Sequence, residues 1–137
     1  MKKQIVFTLA TAALLMGATT TSANATITKA GDYAVSIHIG TAEFCRANTL
    51  SQGGANSDIK GQFTASNGGA CQAWLERKRY NDDGSLQYNW TKVSDYYFLQ
   101  SGDQRETGWH WNGANTGSRV CVILTSTSEK GCSNGIW

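Results

Sequence analysis

The chain has 137 residues, with twelve Lys and Arg against ten Asp and Glu, 10% aromatic residues and no proline. A formal charge of +2 is too small for the basic stripe of a nucleic-acid or anionic-membrane binder, so neither is an expected partner. The length suits one domain with a modest core.

Lys2 and Lys3 precede an apolar run from Ile5 to Met16, broken by Thr8 and Thr11, and a small, polar stretch leads to Ala23-Asn24-Ala25. Basic, then apolar, then small residues at a cut is the order of a secretory signal peptide. The run is shorter than the about 20 residues that a membrane span requires. Residues 1–25 are therefore read as a cleaved leader of bacterial type. Residues 26–137 are read as a single secreted β domain, extracellular or periplasmic, with no membrane span. Losing Lys2 and Lys3 leaves ten cations against ten carboxylates, so the mature domain is neutral. Export also places the four cysteines in an oxidising compartment.

Tyr33, Val35, Ile37 and Ile39 alternate with Ala34, Ser36 and His38, which predicts a half-buried strand. Residues 42–57 hold the cluster Ser51-Gln52-Gly53-Gly54 and are predicted to be a loop. Ile59, Gly61, Phe63 and Ala65 mark a second strand, closed by Asn67-Gly68-Gly69. A hairpin follows, with Cys71, Ala73 and Leu75 facing away from Gln72, Trp74 and Glu76. Asn81-Asp82-Asp83-Gly84 turns it, and Leu86, Tyr88 and Trp90 return. Residues 96–100 read as a further strand. Trp109 and Trp111, two apart, share a face if that segment is extended. Residues 119–125 form a last strand with Val120, Val122 and Leu124 on one side. No helical period appears after Ala25. Six or seven short strands joined by turns predict an all-β fold, a small antiparallel β-sandwich or barrel with two disulfides.

The four cysteines, Cys45, Cys71, Cys121 and Cys132, permit three pairings. Cys121 with Cys132 pins the tail to the last strand, and Cys45 with Cys71 ties the 42–57 stretch to the hairpin. Cys71 with Cys121 instead staples two central strands across the core. Zinc suits these residues poorly, because no C-x-x-C pair occurs and His38 and His110 are the sole imidazoles. Neither metal nor cofactor is expected.

Two features bear on function. In Trp109-His110-Trp111, two indoles on one face offer a platform for a sugar ring or a partner's side chain, with Asn112 and Asn115 in the turn beside it. The same indoles would serve equally to fill a small core. Arg77 and Arg79 share a strand face and form a second site for an anionic group, unless Asp82 and Asp83 pair with them. The sequences H-E-x-x-H and a P-loop are absent. The expected function is non-enzymatic binding outside the cell, to a polysaccharide, a cell-envelope component or a protein. Antibacterial action and inhibition of a secreted enzyme are specific forms of it. The alternative is a small secreted hydrolase using ribonuclease-like acid–base chemistry, with His110 and Glu76 or Glu106.

Overall fold

A computed structural model describes residues 24–53 and 57–137. The predicted leader lies outside the described residues except for Asn24 and Ala25, and Ala25 already opens a strand. In chain order the strands are β1 (Ala25–Ala30), β2 (Ala34–Ile39), β3 (Ala42–Ser51), β4 (Ile59–Ala65) and β5 (Cys71–Tyr80). They continue with β6 (Leu86–Lys92), β7 (Tyr97–Leu99), β8 (Gln104–Glu106), β9 (Thr116–Leu124) and β10 (Glu129–Cys132). One sheet runs β1-β2-β3-β4-β8. The other runs β10-β9-β5-β6, with β7 taking the part of the β5 edge that β6 leaves free. The pairings are antiparallel, and the two sheets stack as a sandwich.

Period-two alternation builds the core. Val35 and Ile37 of β2, Cys45 and Ala47 of β3, and Ile59, Phe63 and Ala65 of β4 face Cys71, Ala73 and Leu75 of β5. Leu99 of β7 and Val120, Val122 and Leu124 of β9 complete it, and all of these are buried. Both disulfides form as the unnested pair. Cys45–Cys71 crosses from β3 to β5 and so joins the two sheets, while Cys121–Cys132 links the neighbours β9 and β10.

The structure corrects the reading of residues 42–57 as a loop. Ala42–Ser51 is a ten-residue strand paired on both edges, by β2 and by β4. Its fully buried inward residues are Cys45, Ala47 and Thr49, which are small. The large apolar residues of the strand, Phe44 and Leu50, fall on the other row, so no bulky inward row advertises it. The disulfide supplies part of what a bulky side chain would supply elsewhere. The sequence reading also passes over β1, β8 and β10, whose residues are largely exposed or polar. Such edge strands acquire their conformation from ladder hydrogen bonds to a neighbour rather than from burial.

Candidate binding surface

The inward row of β5 runs Cys71, Ala73, Leu75, Arg77, Arg79. Apolar packing therefore ends at Leu75, and two guanidiniums occupy the last inward positions at one end of the sandwich. Across from them lies the segment between β8 and β9. It is anchored to β4 at two points. Thr107 N–H donates to Gly61 O at 2.9 Å, and Thr107 Oγ1 accepts from Gly61 N–H at 3.0 Å. His110 and Ile59 exchange main-chain hydrogen bonds of 2.7 and 2.8 Å. These anchors hold Trp109 and Trp111 against the end of the sandwich, on either side of an isolated antiparallel bridge and outside the ten strands.

Both indoles reach solvent, with Trp109 42% and Trp111 46% exposed, so neither fills the core. Each has its own cation. Lys60 Nζ stands 4.9 Å from the Trp109 ring centre, while the Arg79 and Arg77 guanidiniums stand 5.2 and 5.9 Å from that of Trp111. These distances fall in the cation–π range. Trp111 is further seated by a glycine. A Cβ on Gly113 would lie 1.7 Å from Trp111 Cζ2, so the ring rests directly on backbone that no other residue can offer. Trp111 and the arginine pair, predicted as separate candidates, thus lie together.

Asn112 is only 3% exposed, and its Oδ1 accepts a 2.7 Å hydrogen bond from the buried Ser118 hydroxyl. It braces the loop from inside rather than facing solvent. Asn115 is exposed and sits at a φ of +58°. Its amide donates to Asp82 Oδ1 at 2.9 Å, and its carbonyl accepts from Tyr80 N–H at 2.9 Å, tying the β5–β6 turn to the loop. Asp83 binds the Ser85 hydroxyl and N–H, which hold its carboxyl below the usual carboxylate range. Both turn carboxylates are thus engaged away from the arginines. Among the described residues no carboxylate pairs with Arg77 or Arg79, and the Nε of each is buried without an acceptor.

Lys60, absent from the sequence-predicted site, bonds Glu106, whose carboxyl is lowered by Lys60 and then Gln62. No local pattern marks Lys60, since only the docking of residue 109 onto β4 brings it to an indole. A second feature missed by the sequence reading is a cleft of about 400 Å³ between Tyr80, Trp137, Asn81, Asp82 and Asn115. Trp137 lies on Gly117, where a Cβ would approach its ring to 2.8 Å, and packs near Tyr80 and Trp90.

Among the described residues His110 meets no carboxylate; His38 does, at 3.7 Å from Glu43. Glu76 and Glu106, its proposed acid–base partners, are bound by Arg119 and by Lys60. Glu76, Cys121 and Cys132 cluster within metal-ligand reach, but the two sulfurs are bonded to each other and the carboxylate to Arg119, so no ligand set results.

Burial pushes the His110 imidazole below its ordinary value of 6.5, and the Arg77 charge adds to this. The unfolded chain then binds a proton that the folded one refuses, so stability rises with pH across that window. Unfolding free energy is expected to fall as the pH drops from 7.5 through 6.5, and His110→Gln should flatten that part of the profile. Urea midpoints of both proteins at pH 7.5 and 5.5 measure the difference; identical slopes would remove His110 as the cause.

Comparison with known protein families, with curated proteins and with solved structures finds no match to this chain.

Proposed function

We propose that this is an exported, non-enzymatic binding protein that acts outside the cell on a polysaccharide, an envelope component or a protein. The carrying observation is the pair of indoles at one end of the sandwich, both exposed and each set beside a cation. Exposing Trp is unfavourable unless a partner covers it, and rigid aromatic–cation pairs are typical anchors of recognition surfaces. Two disulfides, and no helix long and apolar enough to cross a membrane among the described residues, are compatible with an extracellular setting. The leader-like residues 1–25 supply the argument for export.

The test is co-sedimentation of the oxidised protein with insoluble polysaccharides and whole bacterial cell walls, beside a Trp109→Ala/Trp111→Ala variant shown to be folded. The parent is expected in the pellet and the variant in the supernatant. Equal retention of the two would discard this surface as the binding site.

A further inference from the structure

We propose that Arg77 and Arg79, braced on the Trp111 indole, form a recognition site for the acidic substituent of a charged polysaccharide, a uronate carboxylate or a sulfate ester. This deepens the binding reading above and rests on it.

Two guanidiniums placed at adjacent inward positions of one strand repel each other and lose hydration where they are half-buried. In most proteins a carboxylate offsets that. Here the nearest candidates in sequence, Asp82 and Asp83, are held by Asn115 and Ser85, and the buried Nε atoms find no acceptor among the described residues. The arrangement therefore keeps an unneutralised double positive charge at a fixed place. Both guanidiniums rest within 6 Å of the Trp111 ring centre, and Gly113 seats Trp111, so less side-chain freedom is left to lose when an anion arrives. Paired guanidinium forks suit the oxygens of a carboxylate or sulfate, which they bind with two parallel hydrogen bonds.

The kind of anion follows from the surroundings. Lys78, between the two arginines in the chain, lies 5.1 Å from the Tyr80 ring, and Lys60, beside the other indole, is bonded to Glu106. The positive charge facing Trp111 therefore does not continue as a stripe. Ten cations against ten carboxylates in residues 26–137 make the same point for the whole domain. A polynucleotide, with a phosphate at every residue, needs a longer basic track. Exposed indoles at the same end of the sandwich fit the apolar faces of sugar rings, with the acidic group directed to the arginines. An isolated charge on a stacked ring is what a uronic acid or a sulfated sugar offers.

The experiment titrates the ¹⁵N-labelled oxidised protein with trigalacturonate, a sulfated trisaccharide, maltotriose and tri-glutamate. The Trp111 indole and the arginine Nε–H signals are followed. Either acidic sugar is expected to move them, and the two arms distinguish carboxylate from sulfate. In the folded Arg77→Gln/Arg79→Gln variant the affinity should fall at least tenfold. Arg77→Lys/Arg79→Lys, which keeps charge and loses the fork, should fall between. If the glutamine variant does not fold, the parent titrations still decide. Shifts as large with maltotriose, or none with either acidic sugar, would overturn the anion site. Tighter binding of tri-glutamate than of both sugars would overturn the glycan assignment and give the surface to an acidic peptide. Neutral-glycan binding that is lost in Trp109→Ala/Trp111→Ala but kept in the glutamine variant would sink this inference while leaving the binding function standing. No retention of the parent by any wall or polysaccharide would sink both.

Discussion

Replacing Cys45 and Cys71 together by alanine is expected to lower the unfolding free energy by about 3–4 kcal/mol, the chain-entropy value for a loop of this size. The bridge closes a separation of 26 residues, and both cysteines are buried in the contact between the sheets. Cys121→Ala/Cys132→Ala closes only 11 residues and links strands that already share a ladder, so its loss should cost less, about 3 kcal/mol. A domain of this size has roughly 5–15 kcal/mol in total, so removing both bridges brings it near unfolding. Urea unfolding of the two double variants tests the order. A loss below about 1 kcal/mol for Cys45→Ala/Cys71→Ala would mean that apolar packing alone holds β3 onto β5.

The second large effect is expected at Glu76. This carboxylate lies on the outer face of β5, 9% exposed, and three groups converge on it. Trp74 Nε1 donates to Oε1 at 2.8 Å, Arg119 reaches Oε2 at 2.7 Å, and Lys130 stands 3.9 Å away. The same groups carry the packing of that face. Arg119 sits 4.3 Å from the Trp90 ring centre and Lys130 5.0 Å from that of Trp74, while Tyr96 meets Trp74 edge-on. Glu76→Ala leaves one guanidinium and one indole N–H without their acceptor in a half-buried setting. Breaking one partner of a fully buried pair costs about 3–5 kcal/mol, and solvent access to Arg119 brings the expected loss to about 2–3 kcal/mol. Glu76→Gln keeps the shape and one carbonyl oxygen and should cost well under that. Denaturant midpoints give the energies, and near-UV circular dichroism reports whether Trp74 and Trp90 lose their fixed surroundings. An alanine variant as stable as the glutamine variant would show that Arg119 and Trp74 find water instead.

The strands that bury large residues were readable from alternation alone. Val35 and Ile37, then Val120, Val122 and Leu124, point inward as their spacing predicts, and the β5–β6 hairpin turns at Asn81-Asp82-Asp83-Gly84. Strand β3 was not readable, because Cys45, Ala47 and Thr49 fill its inward side with little volume. Sequence pattern registers apolar bulk, whereas the sheet needs only ladder partners and space. The disulfide pairing likewise stayed open among three choices until β3 was placed against β5 and β10 against β9.

The residues of the candidate surface were recognisable one at a time: two indoles, two arginines, two asparagines. Their grouping was not. Arg77 and Arg79 meet Trp111 because β5 outlasts the apolar core and the 107–113 segment is tied to β4. Asn112 turns inward because Ser118 offers it a buried hydroxyl.

By itself, then, the sequence determined an antiparallel all-β chain, its main turns and the chemistry available to it, since period-two burial and turn preferences act over a few residues. The tertiary structure alone decided which cysteines join, that the indoles face solvent, and that two arginines share one of them with no carboxylate paired to either among the described residues. Those outcomes depend on strand register between segments far apart in the chain, and no local pattern encodes a register.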